Sequence, residues 1–103
     1  MAYIGKVSVT NDWAKLEDLI KANVSGQSSF AFDTSKTYSL QTDSGGADFG
    51  VRLCNSATEP AAEDDGEHLV DDQFGKYTPE SGAYLWVKAR GNSTGVKISV
   101  SEN

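Results

Sequence analysis

The segment AYLWVKA, residues 83–89, is the clearest strand signal in this sequence. Tyr84 and Trp86 lie on one face of the extended chain, and Leu85 and Val87 lie on the other. Because both faces are largely apolar, we expect a strand covered on both sides of its sheet, or one with a face in a subunit interface. We therefore predict a β-strand over residues 83–89, at the centre of the fold.

The segment that follows this strand predicts its partner. Residues 90–95, RGNSTG, are typical of a turn, and Val96, Ile98 and Val100 then alternate with polar residues. This pattern predicts a C-terminal strand that forms a hairpin with residues 83–89.

The same period of two runs through the middle of the chain from Ser28. The apolar residues that share a face are Phe30 with Phe32, Tyr38 with Leu40, and Phe49 with Val51 and Leu53. Turn residues separate these runs at 33–36 and 43–46, and a short strand follows at 68–70. Alternation is poor around Gly75, where we predict no strand. The short spacing favours antiparallel strands, since parallel strands need crossover helices.

The N-terminal region predicts the one helix. The apolar residues that recur at helical spacing are Trp13, Leu16, Leu19 and Ile20. Asn11 and Asp12 offer oxygen atoms that can cap a helix beginning at Trp13. We predict that this helix ends near Asn23, with Gly26 as its stop.

These elements predict an all-β fold, a mainly antiparallel β-sandwich of jelly-roll type with one short N-terminal α-helix. The length of 103 residues predicts a single domain, residues 1–103. Within it, residues 1–26 form a strand at 3–9 followed by the helix, and residues 27–103 form the β-sandwich.

Charge and targeting signals exclude several classes of function. The formal net charge of −6 argues against nucleic acid as a partner, because such proteins usually carry a basic patch. No apolar run approaches the roughly 20 residues of a membrane span, and the N-terminus does not read as a signal peptide. We therefore expect folding in a cytoplasm, without a membrane or nucleic-acid partner.

The residues with catalytic or metal-binding chemistry are few. Cys54 is the only cysteine and His68 the only histidine, so neither an internal disulfide nor a zinc site with paired histidines can form. Neither residue lies in a recognisable nucleophile motif. The sequence predicts a protein that is not an enzyme, with no catalytic residues, no metal ligands and no cofactor.

Acidic residues concentrate between positions 59 and 72. Seven of the fifteen carboxylates lie in this stretch, which contains no lysine or arginine. Calcium requires six to eight oxygen ligands, but this stretch lacks the alternating spacing of an EF-hand loop. A solvated loop is the favoured interpretation, with calcium binding or docking on a basic partner as alternatives.

The candidate residues for the core or for a partner interface are Trp13, Leu16, Ile20, Tyr84 and Trp86. Large apolar side chains on a helix stripe or a central strand are usually buried in a core or in a subunit contact. If the aromatic side chains lie exposed on one sheet face, they can instead stack on sugar rings; the candidates are Trp13, Trp86, Tyr84, Tyr77 and Tyr3. A carbohydrate-binding module is therefore the second hypothesis.

Several short segments resemble a known group of proteins. They are Tyr38-Ser-Leu-Gln, Phe49-Gly-Val-Arg-Leu-Cys-Asn-Ser, Glu59-Pro, Gly66-Glu-His-Leu, Tyr84-Leu-Trp-Val-Lys-Ala and Val96-Lys-Ile-Ser-Val-Ser-Glu102. Residues 37–102 resemble small β-sandwich proteins of tailed-phage virions, in which an acidic, proline-containing loop and a Leu-Trp-Val-Lys/Arg-Ala strand recur near the C-terminus. Members of this group decorate capsids, form the bases of head fibres or sit on tails.

The resemblance implies a non-enzymatic virion structural protein, most simply a capsid decoration or head-fibre component that folds in the host cytoplasm. It implies partners that are further copies of the chain, with a trimer among the candidate homo-oligomers, and other virion proteins such as the major capsid protein. A tail-associated receptor-binding protein is a further alternative.

Overall fold

The computed structural model describes residues 2–43, 51–60, 67–69, 74–89 and 96–103. Within these ranges the chain forms eight β-strands and one α-helix. In chain order the elements are β1 (Ala2–Ser8), β2 (Ala14–Lys15), α1 (Leu16–Asn23), β3 (Tyr38–Asp43), β4 (Val51–Ser56), β5 (Glu67–Leu69), β6 (Phe74–Tyr77), β7 (Tyr84–Ala89) and β8 (Lys97–Glu102).

The strands form two four-stranded sheets. The first sheet has the order β1-β8-β3-β6, and the second has the order β2-β7-β4-β5. Every pair of neighbouring strands is antiparallel. The predicted fold class, all-β with mainly antiparallel strands and one short helix, is therefore confirmed.

The core lies between the two sheets and follows the period-two alternation of the strands. In β8, Ile98 and Val100 are fully buried, whereas Lys97 is exposed. In β7, Leu85 and Val87 point into the same core from the second sheet. Residues of both sheets thus form one apolar cluster, as expected where two inner faces interdigitate.

The helix α1 packs against β1 of the first sheet and against β2 and β7 of the second. Leu16 and Ile20 face the core and have no exposed surface. A Cβ atom at Gly5 of β1 would lie only 2.7 Å from Cγ2 of Val24, the residue that follows the helix. Glycine at this position therefore permits the close approach of the helix end to β1.

The prediction that the helix begins at Trp13 is wrong. Ala14 and Lys15 instead pair with Val87 and Trp86, and the helix begins only at Leu16. Lys15 occupies the N-cap position, and no side chain caps the helix. The backbone N–H and C=O groups of this segment form their hydrogen bonds with β7, which replaces the first turn of the predicted helix.

The predicted helix end near Asn23 is confirmed. Gly26 lies beyond it, in a turn closed by a hydrogen bond from the Gln27 N–H to the Val24 carbonyl oxygen. Its φ of +82° lies in the left-handed region that favours glycine.

The predicted hairpin between residues 83–89 and the C-terminal strand is also wrong. Both strands exist, but β7 lies in the second sheet and β8 in the first, where β8 pairs with β1 and β3. Alternation within a strand predicts its buried face, but it does not select the neighbouring strand. That choice depends on contacts distant in sequence.

Two further differences concern the middle of the chain. Phe30 and Phe32 lie in a strand-free segment, although their rings pack edge to face with centroids 4.9 Å apart. Conversely, β6 (Phe74–Tyr77) forms around Gly75, where no strand was expected, because Gly75 pairs with Leu40 of β3. The predictions for Phe49, Val70 and most of the turn at 43–46 fall outside the described residues.

Candidate interaction face

The outer side of the second sheet carries a cluster of aromatic and lysine side chains. The register pairs Lys15 of β2 with Trp86 of β7. Because side chains alternate along a strand, Tyr84, Trp86 and Lys88 point away from the core that Leu85 and Val87 enter. We call the set Trp13, Lys15, Tyr84 and Trp86 the aromatic face.

Lys15 links the two aromatic rings of β7. Its Nζ lies 3.8 Å from the centroid of the Tyr84 ring and 5.6 Å from that of Trp86. A lysine ammonium within about 6 Å of an aromatic centroid is attracted by the negative face of the ring. The lysine side chain therefore holds a positive charge against the aromatic surface.

Trp86 is fixed in its orientation. Its Nε1–H donates a hydrogen bond of 3.0 Å to the carbonyl oxygen of Ser56 on β4, and the side chain is half-buried. Tyr84 is 40 % exposed, and among the described residues only Tyr3, at 65 %, is another exposed large hydrophobic side chain. The aromatic face thus combines a fixed tryptophan with an accessible tyrosine.

Trp13 extends the face toward Lys88. Continuing the strand register places it opposite Lys88, whose Nζ lies 6.0 Å from the Trp13 ring centroid. The Nε1 atom of Trp13 is enclosed and has no hydrogen-bond acceptor in the described part of the chain. Trp13 is therefore a half-buried member of the aromatic face, and it does not begin a helix stripe as predicted.

The five candidate residues separate into two groups. Leu16 and Ile20 belong to the core beneath α1. Trp13, Tyr84 and Trp86 lie together on the aromatic face. The sequence assigns them to a core or a partner interface, with sugar stacking as the alternative. Lys15 was missed because a helix beginning at Trp13 would place it on the polar side. The spacing of Trp13 and Lys15, two residues apart, also fits a strand and is the signal that could have found it.

The sulfur and imidazole residues lie on neighbouring strands. Cys54 is in β4 opposite Trp86, and its thiol is free of any disulfide. His68 of β5 pairs through its backbone with Arg52, two positions away from Cys54. Within the described ranges, no three His, Cys, Asp or Glu residues lie close enough to hold a metal ion. The possible calcium loop falls mostly on residues 61–66 and 70–73, outside the described residues.

Comparisons with known proteins give no relative from which to transfer a function. No protein-family model matches the chain, and neither a curated protein nor a solved structure is significantly similar to it. In the part of the chain that the structure describes, no helix is both long and apolar enough to cross a membrane.

Proposed function

We propose that this chain is a non-enzymatic structural protein of a tailed-phage virion, which acts by packing against other proteins through its aromatic face. The phage assignment rests on the resemblance of residues 37–102 to virion β-sandwich proteins. The proposed partners are further copies of this chain in a homo-oligomer and other virion proteins such as the major capsid protein. Capsid decoration or a head-fibre component is the proposed role.

The observation that carries the proposal is the fixed Trp86 beside the accessible Tyr84, with Lys15 stacked on Tyr84. Tryptophan and tyrosine are enriched among the few residues that supply most of the binding energy in protein interfaces. They offer large apolar area at low cost in side-chain entropy, and each keeps a polar atom for a hydrogen bond. These properties support protein packing at this face.

A carbohydrate-binding module is the alternative that exposed aromatic rings on a sheet face favour. A sugar would stack on the face of a ring, and the Lys15 ammonium already lies over the Tyr84 ring at 3.8 Å. The Trp86 ring is half-buried and also contacts Lys15. The occupied ring surfaces favour a protein partner over a glycan.

Self-association tests the proposed interface directly. We expect light scattering to give a defined multiple of the 11.0 kDa monomer mass. Tyr84→Ala should weaken the assembly about 30-fold, corresponding to ~2 kcal/mol for an interface hot spot. Tyr3→Ala is the matched control, since it removes an exposed tyrosine from β1 of the first sheet.

The contrary outcomes are equally specific. A wild-type monomer at all concentrations, or equal weakening by Tyr3→Ala and Tyr84→Ala, would contradict the proposed interface. Quenching of tryptophan fluorescence by glycans in such a monomer would favour the carbohydrate-binding alternative.

The virion assignment needs a separate measurement. Particles purified from cells that carry the encoding genome can be probed with an antibody against this chain. We expect the protein to sediment with tailed-phage particles. Its retention in the soluble fraction, with particles that assemble without it, would overturn the assignment.

A further inference from the structure

An open cleft lies at one end of the sandwich, where the start of α1, the segment around Phe32 and the turn before β7 meet. Its volume is about 160 Å³, and the residues that define it are Glu17, Phe32, Tyr77, Pro79, Glu80 and Tyr84. A cavity of about 150 Å³ can hold a ring the size of benzene. The cleft therefore admits one group of side-chain size.

The aromatic walls of the cleft are held in place by neighbouring rings. Phe32 packs edge to face against Tyr77 with centroids 5.2 Å apart, and against Tyr38 with centroids 4.8 Å apart. The Tyr38 hydroxyl accepts a hydrogen bond from the Asp33 N–H at 2.9 Å, which fixes the segment that carries Phe32. Such walls are preformed, so binding requires little rearrangement.

Two carboxylates reach the same cleft. Glu17 accepts a hydrogen bond from the Phe32 N–H on Oε1, at 2.9 Å, so its carboxylate is fixed beside the aromatic wall. Glu80 lies in the turn before β7 and is exposed. Two ion pairs join described residues on the surface, Lys21 with Asp18 and Lys36 with Glu102, and neither involves Glu17 or Glu80.

The third polar group is the hydroxyl of Tyr77. The residue is only 8 % exposed, and its hydroxyl has no hydrogen-bond partner among the described residues. The oxygen is not among the fully enclosed polar atoms without a partner, and Tyr77 lines the cleft together with Glu17 and Glu80. Burial raises the pKa of the Tyr77 hydroxyl, and the negative charges of Glu17 and Glu80 raise it further.

We propose that this cleft binds a guanidinium group. A guanidinium is planar and stacks on aromatic rings, and its five N–H donors can reach several acceptors at once. The Glu17 and Glu80 carboxylates supply charge-assisted acceptors, and the Tyr77 oxygen supplies a neutral one. The group belongs either to an arginine side chain of a partner protein or to a free guanidino compound. This site is additional to the proposed virion role and does not depend on it.

The test is a nuclear magnetic resonance titration of the full chain labelled with ¹⁵N. The probe is N-acetyl-L-arginine amide, and the control is N-acetyl-L-citrulline amide, which has a similar shape without the charge. We expect saturable shifts of the Phe32, Gly82 and Ala83 amides at millimolar arginine probe, and affinity for the citrulline probe at least about tenfold lower. Equal responses to the two probes would overturn the proposal.

Two variants locate the site, and a third is the control. Glu80→Gln, in an exposed turn, and Tyr77→Phe should each weaken arginine binding, by about tenfold and about threefold respectively. Glu59→Gln removes the same charge at an exposed position outside the cleft and should leave binding unchanged. Unchanged affinity in Glu80→Gln, or an equal loss in Glu59→Gln, would contradict the assignment.

The source of the guanidinium is distinguished by a second probe. Tighter binding of the amidated peptide Gly-Gly-Arg-Gly-Gly than of the single amino acid would support an arginine on a partner protein. Equal affinities would support a free guanidino compound. Tyr84 belongs both to the cleft and to the aromatic face. The titration measures binding of the arginine probe and light scattering measures self-association, so a failure of one proposal is distinguishable from a failure of the other.

Discussion

The two sheets have similar inner faces and very different outer faces. On the first sheet, Ser99 of β8 pairs with Lys6 of β1 and with Gln41 of β3, so small or flexible polar side chains form a row across the outer face. On the second sheet, the corresponding row contains Lys15 and Trp86. Antiparallel sheets usually leave one polar face to water. The Ser99 row of the first sheet fits this rule and the Trp86 row of the second does not, while Tyr3 of β1 is the exposed aromatic residue of the first sheet.

The contrast shows that the core alone does not explain the aromatic residues. The core cluster contains Leu85, Val87 and Ala89 of β7 and none of the outer side chains of that strand. Tyr84 lies outside this cluster and keeps 40 % of its surface exposed. Scattered surface apolar residues are ordinary, but a fixed tryptophan, a tyrosine and a stacked lysine on adjacent strands favour an interaction site.

The largest expected effect is the difference in stability between variants on the inner face and on the outer face of the first sheet. Ile98→Ala should lower the free energy of unfolding by about 2–5 kcal/mol, because it leaves a cavity in a site with no exposed surface. Ser99→Ala, one residue away on the outer face, should change it by less than about 0.5 kcal/mol. Urea denaturation of both variants measures the difference. A comparable loss in Ser99→Ala would show that the outer face of the first sheet is more than a hydrated surface.

An intermediate effect is expected where the helix meets β1. Gly5→Ala should destabilise the fold by about 1–3 kcal/mol, because the new Cβ lies 2.7 Å and 2.8 Å from the two methyl carbons of Val24. Val24→Ala in the same chain should restore part of the loss, since it removes both methyl groups. Thermal unfolding of the single and double variants measures this coupling.

The same variants separate the core from the aromatic face. We expect folded Gly5→Ala protein to keep the self-association that depends on Tyr84, because the helix packs through Leu16 and Ile20 into the core. Loss of association at temperatures where the variant is folded would contradict this expectation, because it would show that the aromatic face depends on the packing of the helix.

The sequence predicted most of the strands and little of their arrangement. Alternation identified β3, β4, β7 and β8 because each has one face buried in the core. It could not assign β8 to the first sheet, because the choice of neighbours depends on strands far away in the sequence. It missed β6 because Gly75 carries no side chain to reveal a buried face.

The candidate sites were less predictable than the fold. The spacing of Trp13 and Lys15 is compatible with the first turn of a helix and also with a short strand. The backbone pairing with β7 shows that this segment is a strand. The cleft residues Glu17, Phe32 and Tyr77 belong to three segments that are distant in the sequence. A site assembled from distant positions has no local motif, so sequence spacing alone could not have predicted it.

The smallest effect concerns the lysine that distinguishes the second sheet. Lys15→Met keeps the aliphatic stem but removes the charge over Tyr84, so the free energy of unfolding should fall by about 0.5–1 kcal/mol. Lys97→Met, at an exposed lysine of β8 in the first sheet, should change it by less than about 0.5 kcal/mol. In a Tyr84→Leu background the Lys15→Met loss should shrink, because the ring that attracts the ammonium is absent. If the loss is unchanged in the Tyr84→Leu background, Lys15 stabilises the fold through its packing or through Trp86. The contact between Lys15 and Tyr84 would then no longer support a preformed surface at Tyr84.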